Sequence, residues 1–222
     1  MEIAILGGTG DVGEGLALRF AADTSHEVLI GSRDAEKAET AAGAYTAELD
    51  DRGLDGEVAG LENAAAAERA DVVVLAVPPY HVGDTVEAVA ESLDRGDILV
   101  SPATGMKRDE DGFHYHRPGA GSVTRIAAGA APEAVAVVGA FHNLAAGRLS
   151  DLDVDLGIDT LVIGDDEDAK ATVAGLAEEI EGLRALDAGG LANAAEIEAL
   201  TPLLINVGSN NDGLGDLGVR FR

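Results

Sequence analysis

The run Gly8-Thr9-Gly10-Asp11-Val12-Gly13 carries the strongest chemical signal in the chain. Each glycine at this spacing has a physical task. Gly8 permits a tight turn, Gly10 lets the backbone approach a pyrophosphate, and Gly13 lets a helix pack close to a strand. The expected ligand is a dinucleotide whose phosphates sit on free N–H groups at the helix start, where the helix dipole is positive. The bland reading is a Gly-rich turn with no ligand. The context tells against it, because an apolar strand pattern precedes the motif and a helical pattern follows it. A second signal is Gly31-Ser32-Arg33, at the end of the next strand pattern. An NAD-binding fold usually has Asp or Glu here for the ribose hydroxyls. A hydroxyl and a guanidinium suit a 2′-phosphate instead, with Arg33 making paired charged hydrogen bonds. Lys37 lies one helical turn further on and adds charge. The expected cofactor is therefore NADP(H). The competing reading makes Ser32 a helix cap and leaves Arg33 in solvent, and Asp34 beside them opposes a phosphate if it points inward.

His142 is the candidate catalytic residue. It follows a strand pattern directly, in Gly139-Ala140-Phe141-His142-Asn143-Leu144, which puts it at the same sheet edge as the phosphate loop. His81, after Val77-Pro78-Pro79, either lines a nicotinamide ribose or stands in solvent at a helix start. His114 and His116 share a face if their segment is extended, but no third ligand accompanies them, so no metal is expected. The chain has no Cys, which excludes disulfides, thiol catalysis and Cys-based metal sites. There is no Ser-centred elbow of the hydrolase type. Tyr115 is followed by His116 and Arg117 rather than by a Lys four residues later, so Tyr-Lys dehydrogenase chemistry has no support. A reaction that needs little acid–base help fits better. Hydride transfer between two redox cofactors is one, since the cofactors carry the chemistry and the protein aligns them.

The elements around these residues alternate. Strand patterns fall at 2–6, 27–30, 57–59, 71–77, 97–100, 134–138, 160–163 and 183–186. Helical patterns fall at 12–22, 35–49, 61–70, 82–93, 122–130, 168–181 and 191–207. Such alternation, with strand runs that are nearly all apolar, predicts a Rossmann-type, doubly wound α/β fold with a mainly parallel sheet covered on both faces. With 46% apolar and only 3% aromatic residues, the core must be aliphatic. Residues 101–121 contain Pro102, Gly105, Gly112, Pro118, Gly119 and Gly121 and read as a long loop near the C-terminal sheet edge. The acidic, irregular stretch near 149–159 divides a dinucleotide-binding domain, 1–148, from a smaller C-terminal α/β unit, 149–222.

Charge narrows the setting. The chain has 41 acidic and 15 basic residues, a net charge of −26, and its only lysines are Lys37, Lys107 and Lys170. Such a surface repels nucleic acid and anionic membranes, so neither is an expected partner. It also repels itself, and at molar salt, where the screening length falls to about 3 Å, that repulsion largely vanishes. The composition points to a high-salt cytoplasm and a halophilic source. The N-terminus lacks the positive region of a signal peptide, and the apolar runs are too short to span a bilayer, so the expectation is a soluble cytoplasmic protein.

Several stretches resemble the F420-dependent NADP oxidoreductases, also called NADPH-dependent F420 reductases. They are Gly7-Gly8-Thr9-Gly10-Asp11-Val12-Gly13-Glu14-Gly15-Leu16-Ala17-Leu18-Arg19, Gly31-Ser32-Arg33, Glu181-Gly182-Leu183-Arg184-Ala185-Leu186-Asp187-Ala188-Gly189, Leu200-Thr201-Pro202-Leu203-Leu204-Ile205-Asn206 and Gly213-Leu214-Gly215-Asp216-Leu217-Gly218-Val219. The likeness runs nearly end to end, and its C-terminal stretches are the specific part. It implies reversible, direct hydride transfer between C4 of the nicotinamide and C5 of the deazaflavin coenzyme F420. It also implies a homodimer, with the deazaflavin in a cleft between the large and small domains. By the same likeness Thr9, Gly10, Asp11, Val12, Ser32, Arg33 and Lys37 hold NADP. Val77 and Ala146 line the nicotinamide end, and His142, Leu144 and Thr201 meet the deazaflavin. Where the family has a proline soon after the histidine, this chain has Ala145. F420 carries an anionic phosphate and glutamate tail, for which Arg148, Arg184 and Arg220 are candidate partners. Two other functions fit the residues. One is an NADPH-dependent flavin or ferric reductase, its ferric form weakened by the lack of a membrane segment. The other is a non-catalytic NADP(H)-binding redox sensor, since a Rossmann fold does not prove catalysis.

Overall fold

The strand segments Glu2–Leu6 and Val72–Leu75 are buried along almost their whole length, so they must lie between two covering layers. The computed structural model, which describes residues 1–222, has this arrangement. Its strands are β1 Glu2–Leu6, β2 Glu27–Ser32, β3 Val58–Glu62, β4 Val72–Leu75, β5 Ile98–Ser101, β6 Met106–Asp109, β7 Gly112–Tyr115, β8 Ala136–Gly139, β9 Ile158–Gly164 and β10 Leu183–Asp187. Its helices are α1 Asp11–Asp23, α2 Ala35–Arg52, α3 Asn63–Arg69, α4 Val82–Val89, α5 Val123–Ala130, α6 Ala146–Ser150, α7 Glu167–Glu179, α8 Ala194–Glu198 and α9 Leu200–Ser209.

Eight strands form one sheet in the order β3-β2-β1-β4-β5-β8-β9-β10, and β6 and β7 form a separate hairpin. Pairing is parallel from β3 across to β8. β9 runs antiparallel to β8, and β10 parallel to β9. This is the doubly wound, mainly parallel sheet expected from the alternation. The chain leaves β1 for β2 on one side and returns to β4 on the other. The crevice where that direction reverses is the usual ligand position in such sheets, and the β1–α1 turn opens into it.

Side chains alternate between the two faces of each strand, which splits the core. Ile3, Ile5, Val28, Ile30, Val72 and Val74 pack with Leu16, Phe20, Tyr45, Leu49 and Val173 of α1, α2 and α7. Ala4, Leu6, Leu29, Val73 and Leu75 pack with Ala66, Val82, Val86 and Val123 of α3, α4 and α5. A smaller cluster of Leu161, Ile163, Ala194 and Ile197 seats α8 on β9. No helix is long and apolar enough to cross a membrane.

Two expectations need correction, and one short helix was not expected. The stretch 101–121 is not a plain loop but holds the β6–β7 hairpin, with Lys107 opposite His114 and Arg108 opposite Phe113. Every residue of β6 is exposed, so no apolar alternation marks it. The helix expected at 191–207 is broken into a 3-10 turn at Leu191–Asn193 and the separate helices α8 and α9, with Pro202 in the first turn of α9, where a proline is tolerated. Helix α6 has five residues, too few to leave a periodic signature.

The segment after residue 148 adds β9 and β10 to the edge of the same sheet. Its first turn is tied to α1 by Arg19, which is buried at 2% exposure. The guanidinium donates to the carbonyls of Leu149 (2.9 Å), Arg148 (3.1 Å), Asp151 (2.6 Å) and Val154 (2.9 Å). No lysine can fan out to four acceptors in this way. Removing the group leaves the buried Leu149 carbonyl unpaired, at about 1–3 kcal/mol, and takes one partner from each of three partly buried carbonyls. Arg19→Ala should therefore lower the melting temperature sharply, and Arg19→Lys should recover only a minor part of the loss, as read by thermal unfolding.

Candidate active site

The phosphate loop is built by β1 ending at Leu6 and turning at Gly7, whose φ of +83° suits glycine. Gly8 N–H bonds the Ile5 carbonyl and Gly10 N–H the Gly7 carbonyl. The glycines divide into two kinds. A Cβ on Gly13 would lie 2.5 Å from the Gly7 oxygen and 2.7 Å from Gly8 Cα, and one on Gly8 would lie 2.9 Å from the Ile5 oxygen. These two serve close packing. A Cβ on Gly10 would meet nothing nearer than the Gly7 oxygen at 3.5 Å, so the protein itself leaves that space open. Gly10 is also the N-cap of α1 and supplies no side-chain acceptor. The N–H groups of Asp11, Val12 and Gly13 find no backbone acceptor either. Free amides at a helix start, facing open space, are what a phosphate requires, so the loop fits a dinucleotide. Tyr45 of α2 braces the loop from behind, donating its hydroxyl to the Gly8 carbonyl at 2.8 Å. Burial, with a contribution from the charge of Glu14, pushes that hydroxyl up to about 12. Sequence reasoning missed Tyr45, which looks like any apolar helix residue.

Two clefts meet at this loop. The first, about 400 Å³, is lined by Thr9, Gly10, Ser32, Arg33, Asn63, Val77, Pro78 and His81, among others. Arg33 stands exposed on its wall and enters none of the ion pairs that other cations form. Ser32 Oγ accepts from Asp34 N–H at 3.2 Å, and Asp34 in turn caps α2. Lys37 does not line the cleft; its ammonium lies 3.9 Å from Asp34 and its side chain is 74% exposed. Asn63, at the start of α3, is a lining residue that sequence reasoning missed, and its Oδ1 is buried with no protein partner.

The second cleft, about 510 Å³, is lined by Val12, Met106, Asn143, Leu144, Ala145, Ala146, Thr201, Leu204, Ile205 and the stretch 214–217. Nine of its fifteen lining residues are hydrophobic, against three of thirteen in the first, so it suits a flat ring system better than a phosphate. Thr9 and Gly10 line one cleft and Val12, two residues on, lines the other. The C-terminal stretch that closes the second cleft is held by Asp159, a fully buried carboxylate. Asp159 takes two bonds from Arg184 (2.9 and 2.7 Å) and one from Phe221 N–H (2.6 Å), and Arg184 also donates to the Phe221 carbonyl. The Arg184 guanidinium holds the Asp159 carboxyl below the usual carboxylate range. Arg184 is thus committed to this clasp. Arg148 donates to the Asp155 carbonyl, and none of Arg148, Arg184 and Arg220 lines either cleft.

The imidazole of His142 also lines neither cleft; it is buried at 3% exposure. Its Nε2 lies 3.2 Å from Thr124 Oγ1, which lies 3.0 Å from Glu198 Oε1. An ionised carboxylate only accepts, so Thr124 donates to Glu198 and receives from His142 Nε2–H. Glu198, fully buried, also accepts from Val123 N–H (3.0 Å), Thr124 N–H (2.9 Å) and the Tyr115 hydroxyl (2.9 Å). It therefore sits at the positive start of α5. What His142 offers the second cleft is its backbone: Thr201 Oγ1 donates to its carbonyl at 2.7 Å, and Thr104 Oγ1 lies 3.2 Å from Thr201 Oγ1. Asn143 and Leu144, next in the chain, are cleft wall. Burial pushes the His142 imidazole down to about 3 from an ordinary 6.5. Its neutral form is favoured in the fold, so its contribution to stability is complete above about pH 6.5 and lost as pH falls toward 3. Unfolding titrations should show this acid loss in the native protein and a shallower one in His142→Gln, while turnover between neutral and mildly acid pH should show no His142 ionisation.

Residues 2–105 match the family described as NADP oxidoreductase, coenzyme F420-dependent. The F420-dependent NADP reductase of Methanocaldococcus jannaschii is 43% identical over 97% of this chain and 96% of its own length. That of Methanothermobacter marburgensis is 42% identical over 100% of this chain and 98% of its own. In three dimensions the chain is similar to an assigned F420-dependent NADP reductase from Arthrobacter sp. FB24, with a TM-score of 0.80 and 26% identity over 100% of this chain and 99% of that one. It shares its fold with 3-hydroxyisobutyrate dehydrogenase of Mycobacterium tuberculosis, at a TM-score of 0.60 and 16% identity over 90% of this chain and 57% of that one. With two curated relatives above 40% identity along nearly the whole length of both chains, this chain belongs to the F420-dependent NADP reductase family.

Proposed function

We propose that the chain catalyses reversible hydride transfer between NADP(H) and the deazaflavin coenzyme F420, with one cofactor in each cleft. The carrying observation is that a polar cleft and an apolar cleft meet at a single phosphate loop, Thr9 to Val12. When bound, the nicotinamide and the deazaflavin supply the chemistry, a hydride leaving C4 of one ring for C5 of the other. The protein's part is alignment and exclusion of water. The amides of Asp11, Val12 and Gly13 hold the pyrophosphate. Ser32 and Arg33 hold the 2′-phosphate, and Lys37, further off, adds long-range attraction only. Val77 and Ala146 flank the nicotinamide end, while Leu144 and Thr201 meet the deazaflavin. His142 acts as a positioning residue: its carbonyl orients Thr201, and its buried ring braces the turn that carries Asn143 and Leu144. In this reading residues 1–148 bind the dinucleotide and residues 149–222 close the deazaflavin cleft. We read the working form as a cytoplasmic homodimer, in keeping with the exposed Leu203, Val207 and Leu214 beside that cleft.

The direct test follows the visible band of oxidised F420 in concentrated KCl. Bleaching with NADPH and not with NADH supports the assignment, and binding of NADPH without bleaching opposes it. Arg33→Ala should raise the KM for NADPH by about 10- to 100-fold, the worth of a charged, paired hydrogen bond, and leave that for NADH nearly unchanged. The glycines give a second, independent check. Gly10→Ala has room in the fold and should keep the native melting temperature while losing most NADP affinity. Gly13→Ala, with its Cβ 2.5 Å from a carbonyl oxygen, should lose both.

A further inference from the structure

The second cleft has two exposed rims. One is the C-terminal stretch with Leu214 and the carboxylate of Asp216, and the other is the β6–β7 hairpin with Met106. A ligand with an anionic side chain must extend past one of them, and Asp216 repels it from the first. On the hairpin, residues two apart share a face and directly paired residues share it too. Met106 and Arg108, with their partners Tyr115 and Phe113, therefore lie on the face that Met106 presents to the cleft. Arg108 is held there by the Phe113 ring, its guanidinium carbon 5.3 Å from the ring centre. Phe113 is itself locked to α9, because the Asn206 side chain accepts from its N–H (2.8 Å) and donates to its carbonyl (2.6 Å). Helix α9 supplies Leu204 and Ile205 of the same cleft. The opposite hairpin face carries Lys107 and the His114–Asp109 pair, at 3.0 Å, and Glu110 and Asp111 form the turn. In a chain with 41 acidic residues, Arg108 is nonetheless left without a carboxylate partner.

We infer that Arg108 is the receptor for the anionic side chain of the deazaflavin substrate, binding its phosphodiester as the chain leaves the cleft past Met106. This rests on the reading of the second cleft as the deazaflavin site. A guanidinium on an aromatic face is well suited to the task, since its donors stay free and its orientation is fixed before the ligand arrives.

Binding is read by the change in the deazaflavin's own fluorescence, for whole F420 and for the same ring system carrying only its ribityl group. The native protein should bind whole F420 more tightly than the truncated form. Arg108→Ala should weaken F420 by about five- to tenfold, the worth of one exposed charged contact, and leave the truncated form unchanged. Arg108→Lys should recover part of that loss, and Lys107→Ala, on the other face, should change neither affinity. The inference is overturned if Arg108→Ala binds both forms as the native protein does, or weakens both equally. If the native protein binds neither form, it is the reading of the cleft itself that fails.

Discussion

The helix start at Gly10 is the constraint on which the rest depends. Most helices end in a side chain or a turn that satisfies their free N–H groups. Here the N-cap is a glycine with no side-chain acceptor, and the packing of Gly13 against Gly7 and Gly8 fixes the helix so close to the strand that the first-turn amides face the crevice. Tyr45 holds the loop in that pose from the far side. Everything else is placed relative to this end: Ser32 and Arg33 at the tip of the neighbouring strand, and the apolar cleft two residues along at Val12.

This arrangement also answers a difficulty set by composition. A chain with net charge −26 must bind two polyanionic cofactors. In the proposed arrangement the backbone amides of the loop supply attraction without adding cations, and their dipoles act on the phosphates at close range. Few cations stand near the clefts: Arg33 lines the first, and Arg108, over the Phe113 ring, lies on the hairpin face inferred to border the second. Buried acids serve another purpose. Glu198 ties the start of α5, the hairpin and His142 together, and Asp159 clasps the C-terminal stretch through Arg184. Neither lines a cleft; both brace the segments that carry cleft residues. Each accepts enough hydrogen bonds to offset the loss of water around a buried charge.

The sheet and most of its helices were legible because apolar runs and Ala-rich periodicity repeat in strict alternation. The phosphate loop was legible because its glycines lie between a strand and a helix. The hairpin was not, since β6 reads Met106-Lys107-Arg108-Asp109 and exposes every residue. Nor was the depth of His142. Its place after a strand suggested a side chain at the sheet edge, but the turn at Phe141, with φ of +65°, sends the ring inward to Thr124 and leaves the backbone toward the cleft. Arg184 was read as free to meet a ligand because its partner Asp159 is 25 residues away in sequence. Tyr45, Asn63 and Glu198 were missed for the same reason: each acts through contacts between distant segments, and no local spacing records those.

The central claim is that the loop aligns two cofactors so closely that no protein group handles the hydride. NADPH carrying deuterium at both C4 positions tests this directly. A single turnover with F420 in ordinary water, followed by mass spectrometry of the reduced deazaflavin, should find the label retained at C5 and none released to solvent. Label appearing in water, with unlabelled reduced F420, would contradict the account and require an exchanging group on the protein between the two clefts.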